Sequence, residues 1–206
     1  MFDLTIGYNH IEGRVHKEWY EEFLRCFKRK DEYITLKVPG VVGDIAKARW
    51  NLIQACSTEF LAIIDPDDIF DDSVFLKMCQ TLKDNPSINI VTCGEQVNVY
   101  GAGRKLISTN RANKHPRNPL ASYLAFHPSS VMRVSALKER CSLNLLRRSH
   151  NPCFVLRSIL ALPKHIHLED HGYTWRKHMD GYHKVIRAEM KHDQTLIKKE
   201  LECLTL

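Results

Sequence analysis

The stretch Phe60-Leu61-Ala62-Ile63-Ile64-Asp65-Pro66-Asp67-Asp68 decides how this chain is read. Five apolar residues in an unbroken run suit a strand buried on both faces, as the strands of parallel sheets are. Three acids and a proline follow at once, so the strand delivers carboxylates to its own carboxyl end. In open α/β sheets ligands sit outside that end. Carboxylates two positions apart there can converge on a hard divalent cation such as Mg²⁺ or Mn²⁺, which in turn can clamp a diphosphate. An acidic turn without a ligand has the same composition, because Asp and Pro are ordinary loop residues.

On either side of this stretch, strand and helix patterns alternate. Phe2–Tyr8 reads as a first strand. Lys17–Lys28 carries Trp19, Phe23, Leu24 and Phe27 at helical spacing, and Glu32–Val38 reads as a second strand ended by Pro39-Gly40. Asp44–Cys56 is a helix capped by Asp44, with Ile45, Ala48, Leu52 and Ile53 on one stripe. Ser73–Lys83 is a helix capped by Asp72, and Ile88–Cys93 is the strand after it. This alternation predicts a layered α/β domain. From Gly94 the pattern changes. Val97–Tyr100 and Lys105–Ser108 flank Gly101-Ala102-Gly103 as a hairpin; Asn118–Phe126 reads as a short helix, Ser130–Val134 as a strand and Pro152–Ala161 as a helix. Glu169–Met179 reads as a helix with acids in its first turn, and Tyr182–Ala188 as a last strand. No boundary separates two independent domains, so 1–206 is expected to be one domain, with halves 1–93 and 94–206.

The chain has 206 residues, 44% hydrophobic and 26% charged, which excludes disordered and collagen-like classes. Seven singly scattered cysteines show no zinc or redox spacing and read as buried free thiols of a reducing cytoplasm. No apolar run reaches membrane-spanning length and the amino terminus shows no secretion signal, so a cytoplasmic location is expected. His165 and His167 form a His-x-His pair, but no third ligand at structural spacing supports zinc. The net charge of +6 is unevenly placed: residues 104–157 hold eleven basic side chains against Glu139 alone, a balance of +10, while the rest is −4. That asymmetry predicts a polyanionic partner, or else a solvated basic face.

Gly43-Asp44-Ile45-Ala46-Lys47-Ala48-Arg49-Trp50-Asn51, taken with the run from Phe60 to Asp68, resembles the family 2 glycosyltransferases of GT-A fold. In that family a glycine and Ala-Arg-Asn open a helix, and an apolar strand then ends in Asp-x-Asp-Asp. Here the helix carries Ala-Arg-Trp-Asn, one residue longer. Leu168-Glu169-Asp170-His171 resembles the family's Glu-Asp motif, and Met190-Lys191-His192-Asp193-Gln194-Thr195 resembles the segment in which a histidine completes the metal site.

The resemblance implies a Rossmann-related, mainly parallel sheet flanked by helices, with a smaller mixed region on the acceptor side. It implies an inverting transfer of a sugar from a nucleotide sugar, such as a UDP-sugar, to an acceptor hydroxyl. Residues 1–93 would bind the donor, and 94–206 the acceptor. Asp67 and Asp65, with His192, would hold Mn²⁺ or Mg²⁺. Arg49 would shape the donor site, and Asp170 would act as base, with Glu169 as the alternative. Trp175 would stack on acceptor or base. The family's acidic segment after the second strand is missing, since Leu36-Lys37-Val38-Pro39-Gly40-Val41-Val42 holds no acid; Asp3, Tyr8 or Asn9 is left to meet the nucleotide.

Three functions follow. The first is a glycosyltransferase acting on hydroxymethylated pyrimidines in DNA, as small viral enzymes of this kind do. It would grip phosphates through the basic segment, with Arg147 and Arg148 among the contacts and His115, Tyr123, Phe126 and His127 free to stack on bases. The second is the same chemistry on a cell-surface or lipid-linked glycan. The third is a non-catalytic basic module that binds nucleic acid.

Overall fold

The computed structural model describes residues 2–112, 129–162, 164–178 and 190–204. The helix expected at Asn118–Phe126, the strand expected at Tyr182–Ala188, and His115, Tyr123, Phe126 and His127 lie outside them.

In chain order the elements are β1 (Leu4–His10), α1 (Lys17–Arg25), β2 (Ile34–Pro39), α2 (Ile45–Ala55), β3 (Phe60–Ile64), β4 (Ile69–Phe70) and α3 (Asp72–Asp84). They continue as β5 (Ile90–Tyr100), β6 (Leu106–Ala112), β7 (Ser130–Arg133), α4 (Val134–Arg140), α5 (Leu143–Arg147), α6 (Pro152–Leu160), β8 (Ile166–Lys177) and α7 (Met190–Leu204). One sheet joins the strands in the order β2-β1-β3-β7-β5-β8-β4, with β6 paired to β5 as a hairpin. β1 is parallel to both β2 and β3; β7 runs antiparallel between β3 and β5, and β8 lies parallel to β5.

Every residue of β3 is buried. Its alternation divides the core in two, as a strand covered on both faces requires. Leu61 and Ile63 pack with α2, α4, α5, α6 and α7 on one face, and Phe60, Ala62 and Ile64 pack with α1 and α3 on the other. β1 approaches α2 closely at Gly7, where a Cβ would stand 2.3 Å from Leu52. Among the described residues no helix is long and apolar enough to cross a membrane. Six of the seven thiols are buried, and Cys203 is exposed.

Two local readings are corrected, and a third segment is placed. The cap of α3 is Asp71, whose carboxylate accepts from Ser73 N, while Asp72 turns inward to accept from Tyr33 and from Arg29 N. The helix expected from Glu169 is a strand through Lys177. Ile166–Lys177 is a strand, because Tyr173-Thr174-Trp175 favours the pleat and pairing with β5 from Val91 to Val99 satisfies its backbone. The pairing slips around Gly94, and Gly172 lets β8 press against α3: a Cβ there would meet Cys93 Sγ at 2.5 Å and Val74 at 2.8 Å. Last, Met190–Thr195 opens α7, whose buried Asp193 accepts from Ser149 Oγ, His150 N and Asn151 N and so fastens the loop ahead of α6.

Candidate active site

A cleft of about 420 Å³ opens where β1, β2 and β3 end together, a volume in the usual range for small-molecule sites. Asn9, Arg49, Asp65 and Asp67 all line it, so the structure brings these expected donor-site residues together.

Arg49 organises the cleft. The start of α2 is fixed by Asp44, whose carboxylate accepts from Lys47 N. One turn on, Arg49 is buried and donates to Asp65, to Asn9 Oδ1 at 3.0 Å and to Cys153 Sγ at 3.2 Å. A single guanidinium thus ties the end of β1, the end of β3 and the start of α6. Burial works against its charge, but the Asp65 carboxylate and the Cys153 sulfur together more than offset this and hold Arg49 firmly protonated.

The three acids after β3 have separate tasks. Asp65 and Asp67 face the cleft and stay about 30% exposed, at 29% and 31%. Asp68 turns into the protein, where it accepts from Tyr173 OH and from Arg176 N. Burial, together with the charges of Asp67 and Asp65, pushes its carboxyl well above the usual carboxylate range. Arg176 secures the same loop: it donates to Asp67 O at 3.2 Å, pairs with Glu22 and stacks on Trp19.

The histidine beside the acids is His178, whose Nε2 stands 3.4 Å from Asp67 Oδ2. His192, expected there, is placed in the first turn of α7. Reading 169–179 as a helix hid His178, which follows directly on β8. Among the described residues no three His, Cys, Asp or Glu side chains form a metal cage. Mg²⁺, however, is commonly held by one or two carboxylates plus phosphate oxygens and waters. Asp67, with Asp65 on the same lip, fits a cation shared with a bound diphosphate.

Other expected site residues stand elsewhere. Asp170 pairs with Lys77 of α3 at 2.7 Å, and both Glu169 and Asp170 sit on β8, separated from β3 by β7 and β5. Neither lines the cleft, because a strand carries them along the sheet where a helix start would have aimed them at it. Tyr8 is buried against Phe23, and Trp175 packs against the core on the α1–α3 side. Arg147 pairs with Asp44 at the cleft rim and Arg148 with Glu200.

The basic segment is partly paired within the fold. Arg104, Arg133, Arg147 and Arg148 pair with Glu18, Glu59, Asp44 and Glu200, all outside the segment. Arg157 is buried and donates to Ser130 Oγ and Ile63 O, and Arg140 donates to Leu162 O. Four of the segment's eleven basic side chains are thus paired with acids from the rest of the chain.

No protein-family model and no curated protein matches this sequence. Solved structures do. Staphylococcus aureus TarS 1–349 in complex with UDP superposes with a TM-score of 0.57 at 10% identity, over 96% of this chain and 64% of that one. The same protein with UDP-GlcNAc gives 0.56 at 11% identity, over 96% and 66%. A further TarS 1–349 structure gives 0.52 at 11% identity, over 84% and 60%. The chain thus spans between 60% and 66% of the length of these TarS 1–349 structures, and it shares an α/β fold with them.

Proposed function

We propose that this chain is a nucleotide-sugar-dependent glycosyltransferase that moves a sugar to a glycan hydroxyl. The observation that carries the reading is the cleft at the ends of β1–β3, with Asp65 and Asp67 on one lip and the buried Arg49 behind them. Support comes from the shared fold, which in TarS holds UDP and UDP-GlcNAc.

In this reading the diphosphate lies at the Asp65–Asp67 end. A divalent cation held by Asp67, with Asp65 close by, would supply positive charge against the departing nucleoside diphosphate. Arg49 fixes the Asp65 carboxylate in one orientation. Asp68, locked by Tyr173 and Arg176, fixes the backbone from which Asp67 projects. Such preorganisation counts because the groups need not reorient as charge develops. A glycan acceptor is favoured over DNA by the internal pairing of Arg104, Arg133, Arg147 and Arg148, which leaves those side chains committed.

The test is calorimetric titration of UDP-GlcNAc and UDP with Mn²⁺ or Mg²⁺ present, followed by assay of slow donor hydrolysis. Saturable binding that Asp67→Asn abolishes is expected. A well-folded wild type that binds no nucleoside diphosphate, whatever its base, would overturn the reading.

A further inference from the structure

The sheet continues beyond the cleft. β3 and β5 both run antiparallel to β7, and Leu61 and Ile90 both stand opposite Met132, so Gly94 is level with Asp65. Residues 95–100 therefore run on past the sheet end at which the cleft opens, by about 20 Å in all. β6 and β8 flank this extension on its two sides.

Alternation puts Gln96, Asn98 and Tyr100 on one face of it, about 6.8 Å apart. Thr109 of β6 stands opposite Asn98. The amides are fixed before any ligand arrives: Asn98 Oδ1 accepts from Gln96 Nε2 at 2.9 Å and from Thr109 Oγ1 at 3.0 Å. That leaves Asn98 Nδ2 and Gln96 Oε1 without a partner among the described residues, on side chains that reach solvent. Tyr100 is half-buried, with its ring 5.1 Å from that of Trp19. Trp19 in turn meets His178 at 5.1 Å, and His178 Nε2 stands 3.4 Å from Asp67 Oδ2. The face is thus continuous with the Asp67 end of the cleft.

An amide donor, an amide acceptor and a hydroxyl held in a row beside an aromatic face match the chemistry of a sugar. Each sugar hydroxyl both donates and accepts, and an apolar ring face packs on Tyr while its polar tip stays wet. A phosphate chain gains less from it, because Arg176, the neighbour of Asn98 on β8, is buried and committed to Glu22 and Asp67 O. Arg111 stands opposite Gln96 in the register, which makes a nucleic-acid strand the competing occupant.

Resting on the function proposed above, we infer that the sheet face carrying Gln96, Asn98, Tyr100 and Thr109 is the acceptor-binding surface, and that it takes an uncharged sugar unit, with hydroxyls on the two amides and a ring face against Tyr100.

The test titrates the isotope-labelled full chain by NMR with chitotriose, and separately with oligothymidylate, in the presence of UDP and Mg²⁺, following the side-chain amide signals of Gln96 and Asn98. Chitotriose should shift both signals saturably. Asn98→Asp keeps the oxygen that Gln96 and Thr109 bond but loses the Nδ2 donor, and Tyr100→Ala removes the ring. Each should weaken chitotriose by about 3–10-fold and leave UDP affinity within about twofold. Tyr100→Phe, which keeps the ring, should bind as wild type does. Chitotriose that leaves the two amide signals unmoved, or that binds Asn98→Asp and Tyr100→Ala as tightly as wild type, overturns the assignment. So does oligothymidylate that moves those signals where chitotriose does not, which gives the face to nucleic acid. In each of these cases wild type still binds UDP and the donor cleft stands; a wild type that binds no UDP removes the proposed function itself.

Discussion

Arg49 and Asp65 are paired across the floor of the cleft, but only Asp65 reaches solvent: their side chains are 6% and 29% exposed. The buried partner is the one with three directed bonds, so the pair orients the carboxylate more than it stabilises the fold. Removing one member of a buried pair leaves the other uncompensated, and exposure of Asp65 reduces that cost. Arg49→Met should therefore lower stability by roughly 2–4 kcal/mol, read from chemical denaturation, and weaken UDP binding as well. Arg49→Lys should rescue little, since an ammonium cannot reach Asn9, Asp65 and Cys153 from one position. Full binding in Arg49→Lys would reduce Arg49 to a point charge.

Asp67 is the carboxylate expected to meet the cation. Asp67→Asn keeps the shape of the loop, because Asp68 and Arg176 hold its backbone. Melting temperature should stay near that of wild type, while metal-dependent donor hydrolysis drops at least 100-fold. Unchanged hydrolysis with added EDTA would take the metal out of the reaction.

Asp170 tests the opposite expectation. Its carboxylate faces Lys77, both groups are well exposed, and it does not line the cleft. A general base contributes about 10²–10⁴-fold. Asp170→Asn should cost less than threefold in donor hydrolysis. A loss of 100-fold or more would restore it as the base.

What could be read from the sequence follows physical strength. The five-residue apolar run of β3 has one good solution, and its acids, the Asp44 cap and Arg49 fall at one sheet end by short-range geometry alone. Glu169-Asp170 was ambiguous because acids in a first helical turn gain only a few tenths of a kcal/mol, less than a strand gains by pairing along β5. That one reversal moved Asp170 off the cleft and concealed His178. The charge excess of 104–157 was visible in sequence, but its partners Glu18, Glu59, Asp44 and Glu200 were far away along the chain.

Glu95 on β5 is 2% exposed and sits near the Arg157 charge and the Ser129 hydroxyl. Burial raises its pKa from 4.5 to about 8, against the opposing influence of the Arg157 charge and the Ser129 hydroxyl. Between those values the folded chain holds a proton that the unfolded chain has released. Stability should therefore fall as pH rises through that window and level off above it. Glu95→Gln cannot release a proton. Its melting temperature should match wild type near pH 5 and exceed it near pH 8.5. Parallel pH profiles for the two proteins would show that Glu95 is ionised throughout.

Arg147 and Arg148 decide between acceptors. If they gripped DNA phosphates, each contact on duplex would add about 0.9 to the slope of log affinity against log salt. In the fold they already pair with Asp44 and Glu200. Exchanging those partners for phosphates gains less than presenting uncommitted arginines would. The double variant Arg147→Gln, Arg148→Gln should leave both DNA affinity and its salt slope unchanged within error, measured by fluorescence anisotropy from 50 to 200 mM salt. Stability should change by no more than about 1 kcal/mol, as for exposed ion pairs generally. A slope reduced by roughly 2 would place both side chains on phosphates and make DNA the acceptor to pursue. The matching chemical assay incubates the protein with UDP-GlcNAc and DNA carrying 5-hydroxymethylcytosine, digests the product, and reads the nucleoside masses. No N-acetylhexosamine-sized mass shift is expected; its appearance would overturn the glycan reading while leaving the donor cleft as described.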